Sequence, residues 1–253
     1  MISAAFIVAV LIEILLPFVL AYLFIRRYRT KWTLFFIGVL TFIGSQVLHI
    51  PALQGITALF QSGALPTPPV AVVPYFNAVL LGLLAGLFEE TARWVGYRLL
   101  KNRGNSWGAA LTLGAGHGGI ESILVGVTVL AGFIGSFGMI ELSPLAWYDP
   151  LAGAVERIIA ISLHITLSVM VWLSVSRRNL LWFAAAVLWH ALLDFVAVLT
   201  VSFGLQMWAI EGVLSLFLVA NLGLLYLIHR YAQRTAAPAE PADSPPAALQ
   251  EGV

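Results

Sequence analysis

Residues Leu87–Leu100 read LFEETARWVGYRLL. Two adjacent carboxylates, Glu89 and Glu90, and an arginine, Arg93, stand in an apolar run that has no water-facing side. What these three charges do there decides how the whole chain is read, because an ionisable side chain at mid-membrane depth costs at least about 2.5–3.5 kcal/mol to insert.

The surroundings are those of a membrane. Of 253 residues, 60% are apolar and only 10% charged, and the mean hydropathy is +0.96. Soluble domains carry roughly a quarter charged residues. A helical span needs about 20 apolar residues, and seven such runs appear, over residues 3–25, 33–50, 75–97, 107–134, 151–175, 180–202 and 208–228. The sequence therefore predicts an all-α fold, a polytopic transmembrane helical bundle. The fourth run is long and glycine-rich, and is expected to tilt, break or re-enter. The opening MISAAFIVAV has no basic n-region and reads as a retained first helix rather than a signal peptide.

Basic residues set the orientation. Arg26, Arg27, Arg29 and Lys31 follow the first run; Arg98, Lys101 and Arg103 the third; Arg177 and Arg178 the fifth; Arg230 and Arg234 the seventh. Eleven of thirteen thus fall on one side, which the positive-inside rule makes cytoplasmic, with the N-terminus outside. The asymmetry is topological and gives no sign of nucleic-acid binding. Pro51–Pro74 reads as a proline-broken outer loop. Residues 1–232 form the membrane domain, and 233–253, ending TAAPAEPADSPPAALQEGV, a disordered Pro/Ala-rich cytoplasmic tail. The chain has no cysteine, which excludes disulfides, thiolate metal sites and cysteine nucleophiles.

Further ionisable residues fall near the middle of the runs: Glu13, His117, Glu121, His164, His190 and Asp194. Glu89–Arg93, His117–Glu121 and His190–Asp194 share a spacing of four, which puts each pair on one helix face about 6 Å apart. A polar cavity between the three helices is the cheapest way to satisfy them. Arg93 pairs with one of the two glutamates, leaving the other as a general base. Gly114, Gly116, Gly118 and Gly119 flank His117 and are expected to allow close helix approach and to leave room for a substrate backbone. Asp194 is expected either to hold one nitrogen of His190 and leave the other facing the cavity, or, protonated, to donate a hydrogen bond itself. Glu156, Arg157 and His164 read as supporting groups or direct participants, Glu13 as snorkelling or joining the network, and His49 as an outer-interface residue.

FEETAR, GHGGIES, the ERxxAxxxH pattern from Glu156 to His164, and WHALLDF resemble the YhfC family of bacterial multi-spanning membrane proteins, with QVLHIP at 46–51 in keeping. That family is regarded as similar to the glutamic-type intramembrane proteases, which include the CAAX prenyl endopeptidases, bacteriocin-processing proteins and PrsW-like proteases. The resemblance implies a bacterial plasma-membrane endopeptidase acting on membrane-embedded or membrane-proximal proteins. It implies that Glu89 or Glu90 activates water with His117 while His190 and Asp194 stabilise the oxyanion. Three departures stand out: Arg93 is four residues after Glu89 where the endopeptidase motif has five, Asp194 replaces an asparagine, and Glu121 has no counterpart. The catalytic candidates are Glu89, Glu90, Arg93, His117, Glu121, His164, His190 and Asp194. No cofactor is expected; a zinc set of His117, His190 and a carboxylate ranks below the metal-free route. The rival readings are a proton-coupled transporter and a non-catalytic scaffold or immunity protein built on the same polar network.

Overall fold

The computed structural model describes residues 1–136 and 146–235. The predicted tail from 236 onward lies outside them. Among the described residues, seven helices are long and apolar enough to cross a membrane: α1 (Ile2–Tyr28), α2 (Trp32–Gln61), α3 (Val73–Leu100), α4 (Trp107–Gly135), α5 (Leu151–Ser176), α6 (Leu180–Ser202) and α7 (Met207–Arg234). The expectation of an all-helical integral membrane protein is met.

Two expectations are corrected. Pro51 lies inside α2, which continues to Gln61, so the connection runs only from Ser62 to Pro69 before a short 3-10 turn at Val70–Val72. Proline removes one backbone donor from a helix interior, but the following ALQGITALF is apolar enough to keep the helix going. The glycine-rich α4 is one continuous helix of 29 residues, neither broken nor re-entrant. Its N-terminus is fixed by Ser106, whose side chain accepts from the Ala109 amide at 3.1 Å, and α6 is capped in the same way by Asn179.

α5 is the central element, with most of its span buried. Buried polar ties fasten its neighbours to it. Tyr97 of α3 meets Ser168 Oγ at 2.6 Å, and Ser168 donates to the Ala110 carbonyl of α4 at 2.8 Å. Asn221 of α7 accepts from Trp189 of α6 at 2.9 Å and donates to Ser162 of α5 at 3.0 Å. In an apolar medium such bonds complete polar groups that have no water to turn to.

Glycines bring α4 against its neighbours. A Cβ at Gly116 would lie 2.0 Å from the Phe35 carbonyl of α2, and one at Gly118 would lie 2.7 Å from Cβ of His164 on α5. Gly114 is closed by Ile165 and Ser168, and Gly119 by Pro17. The predicted close approach is therefore present, whereas the predicted space for substrate beside His117 is taken by α1, α2 and α5. The turns at the basic end each contain a non-glycine residue at positive φ: Arg29 (53°), Lys101 (50°) and Arg178 (52°).

Candidate active site

All eight candidate residues come from four helices and meet at one level of the bundle. α3 brings Glu89, Glu90 and Arg93; α4 brings His117 and Glu121; α5 brings His164; α6 brings His190 and Asp194. Glu90, Arg93 and His117 are completely buried, and Glu89, His164 and His190 nearly so.

The two adjacent glutamates have different partners. Glu90 forms a short ion pair with Arg93 one turn on, and its other oxygen accepts from His190 Nδ1 at 2.8 Å. Glu90 is thus a charge-compensated anchor. Glu89 faces the opposite way: its Oε1 accepts from the Gln46 amide of α2 at 3.1 Å, and its Oε2 lies 3.2 Å from His117 Nε2 and 4.0 Å from His190 Nε2. Of the pair, Glu89 is the carboxylate open to chemistry.

The hydrogen bonds fix how each imidazole is turned. Thr41 Oγ1 spends its proton on the Gly38 carbonyl at 2.7 Å, so at 2.9 Å it accepts from His117 Nδ1. His117 therefore presents the Nε2 lone pair to Glu89. Two acceptors facing each other at 3.2 Å need hydrogen between them, supplied by a shared proton or by a water donating to both. His164 is turned the other way. Arginine has only donors, so His164 Nδ1 accepts from Arg93 at 3.1 Å, and Nε2–H donates to Glu121 at 2.7 Å. Arg157 clamps Glu121 at 2.8 Å and Glu156 at 2.5 Å.

Of the predicted same-face pairs, only His190–Asp194 is in contact. His117 and Glu121 look to different helices. Asp194 Oδ2 stands 3.5 Å from His190 Nε2, beyond a good hydrogen bond, and Glu90 takes the orienting role assigned to it. Glu13 does not snorkel: it is buried against Gly126 and Gly153, and among the described residues its Oε2 has no hydrogen-bond partner. His49 turns inward and stacks on Phe88, with ring centroids 5.6 Å apart. Sequence reasoning missed Thr41 and Gln46, uncharged residues whose only signal is their polarity within an apolar helix. It also missed Glu211, buried near the start of α7.

The cluster opens on a polar cavity of about 170 Å³ lined by Glu89, Glu121, Arg157, His164, His190 and Asp194. Its far wall, Glu156 and Arg157, lies near the start of α5, at the end of the bundle opposite the basic turns. Water therefore has a polar space beside Glu89.

A profile of the family described as YhfC intramembrane metalloprotease matches residues 12–141 and 138–214. The membrane protein YhfC of Bacillus subtilis (strain 168) is 32% identical over 212 residues, 74% of this chain and 81% of that protein. No solved structure matches. The family description implies a metal, and Glu89, His117 and His164 offer donor atoms within 4.8 Å of one another, a two-histidine, one-carboxylate set of the kind zinc uses. Their polarity does not fit. A metal-bound histidine ordinarily donates from its outer nitrogen, whereas His164 accepts there from a guanidinium and has its other nitrogen committed to Glu121. His190 is better turned, but its Nε2 is 4.0 Å from Glu89 Oε2, against about 3.3 Å for the edge of a tetrahedron of ligands at 2.0–2.1 Å. As placed, these residues do not assemble a three-donor metal site.

Proposed function

The chain belongs to the YhfC intramembrane metalloprotease family, and on that premise we propose that it is an integral membrane endopeptidase hydrolysing peptide bonds of membrane-embedded or membrane-proximal proteins. The observation that carries this reading is the facing of two acceptors, Glu89 Oε2 and His117 Nε2, at 3.2 Å beside a polar cavity.

A water donating one hydrogen to Glu89 and one to His117 is held with its oxygen lone pairs directed away from both. Glu89 takes the proton as the water oxygen bonds to the carbonyl carbon, and the carbonyl electron pair moves onto its oxygen. His190, held by Glu90 on Nδ1 and carrying a second proton on Nε2, donates to that oxyanion, with Asp194 beside it. The carbon–nitrogen bond then breaks as Glu89 passes its proton to the departing amine, leaving a free carboxyl and a free amino terminus. Arg93 keeps Glu90 charged and in place, and Glu121 and Arg157 hold His164. This is the glutamate-based route, supported by the division of labour within the Glu89–Glu90 pair and by the orientation that Thr41 imposes on His117.

The test is cleavage of reconstituted bacterial membrane proteins by the purified chain, read as new peptide termini by mass spectrometry. Wild type is expected to make termini that Glu89→Gln does not. The same termini from both proteins, or none from wild type while it remains folded, would overturn the reading.

A further inference from the structure

On the side of the site away from the polar cavity, α2 and α3 part to form a groove of about 850 Å³. It lies in the half of the bundle nearest the basic turns, between Ile37–Leu48 of α2 and Leu87–Leu100 of α3. None of its lining residues is ionisable, and its lips, Leu40, Leu48 and Leu99, are 63%, 63% and 77% exposed. In a membrane those lips face lipid.

The groove has a polar floor. Thr41 and Ser45 line it. Thr41 is the residue that orients His117, and Ser45 Oγ accepts at 3.3 Å from Gln46, whose amide also donates to Glu89. The groove thus ends on the residues that hold the reactive pair. It also has room: a Cβ at Gly44 would meet nothing within 4 Å. The eleven-residue rise from Ile37 to Leu48 is roughly 16 Å, the length of about five extended residues.

We infer that the substrate is an apolar membrane-spanning segment that enters sideways between α2 and α3 and lies along this groove, while water reaches Glu89 through the polar cavity opposite; this rests on the protease reading above. Uncharged walls facing lipid select an apolar occupant. The floor distinguishes a peptide from an acyl chain. Thr41 and Ser45 each donate to their own helix, to Gly38 and Phe42, and accept one other bond, so each oxygen retains a lone pair. A segment that unwinds to extended form along the groove frees backbone N–H groups for these acceptors; a lipid tail has none.

The experiment places a photo-crosslinking amino acid at Leu40 in the Glu89→Gln protein, reconstituted in nanodiscs with a lysine-flanked transmembrane peptide of about 20 leucines and alanines. The comparison position is Val219 of α7, 70% exposed on another face. Peptide adducts from Leu40 are expected to exceed those from Val219 by at least about ten-fold. Gly44→Trp, whose Cβ has open space and whose indole occupies the groove, is expected to remove most of them while leaving the unfolding temperature unchanged. Equal labelling at both positions, or labelling of lipid alone from Leu40, would sink the inference. The two readings fail separately: labelling without any cleavage by wild type counts against the protease, whereas cleavage that Gly44→Trp leaves intact, with no Leu40 adduct, counts against the groove.

Discussion

Thr41 Oγ1 and His117 Nδ1 lie 2.9 Å apart, and because the hydroxyl proton is already given to Gly38, this contact fixes which nitrogen of His117 faces Glu89. A threonine on α2 thereby sets the direction of chemistry on α3 and α4.

Thr41→Val keeps the shape and removes the acceptor. His117 is then free to turn or to change tautomer. Loss of the acceptor that orients His117 should lower turnover by about 10–100-fold, by analogy with groups that orient metal-bound histidines, and should raise KM where Thr41 also meets substrate in the groove. Thr41→Ser, which restores the hydroxyl, should recover most of it. Equal activity in all three proteins would show that Thr41 does not orient the ring.

Glu89→Gln and Glu90→Gln should differ in kind. Glu89→Gln removes the proton acceptor and should abolish cleavage with the unfolding temperature in detergent nearly unchanged. Glu90→Gln leaves Arg93 charged and completely buried, and breaking a buried pair on one side costs about 3–5 kcal/mol. Its signature is a lowered unfolding temperature and poor recovery of folded protein.

Metal dependence checks the polarity argument at His164. The purified protein is expected to hold well under one equivalent of zinc by elemental analysis, and to keep its activity after chelation. Activity lost to chelator and restored by zinc would overturn the metal-free route, with Glu89 and His117 joined as donors either by His190 drawn closer or by His164 released from Arg93.

Glycine replacements on α4 should separate packing from helix propensity. Gly116→Ala drives a Cβ into the Phe35 carbonyl and should destabilise by about 1–3 kcal/mol. Gly132→Ala meets nothing within 4 Å and should be neutral or stabilising by roughly 0.5–1 kcal/mol. Comparable losses at both positions would contradict the helix packing described above.

The seven spans were legible because bilayer thickness imposes a length that composition alone reveals, and the ionisable residues stood out because each is costly where it lies. Their partners were less legible. A spacing of four identifies a shared helix face and says nothing about the helix opposite, so Glu121 was read beside His117 when its bonds go to His164 and Arg157. Arg93 was correctly expected to take one glutamate, and only the fold shows that it takes Glu90. Pro51 does not break α2, since proline costs one hydrogen bond and a long apolar helix has others. Thr41, Ser45 and Gln46 escaped notice because hydroxyls and amides are tolerated in membrane helices and carry no charge to mark them. The i, i+4 register of Thr41 and Ser45 with His49 marks one face of α2, and Gln46 opens the QVLHIP motif beside it.

Arg29, Lys101 and Arg178 sit at positive φ, Arg29 in the left-handed region, where an L side chain costs about 1–2 kcal/mol and glycine costs almost nothing. Glycine there would give an easier backbone but would strip a positive charge from each of three successive hairpins. Such charges act while the nascent chain is being threaded into the bilayer, when each pair of helices has to be kept from crossing the wrong way. These turns are suited to the moment of biogenesis rather than to the stability of the finished bundle, and the strain they retain is a trace of how the protein is built.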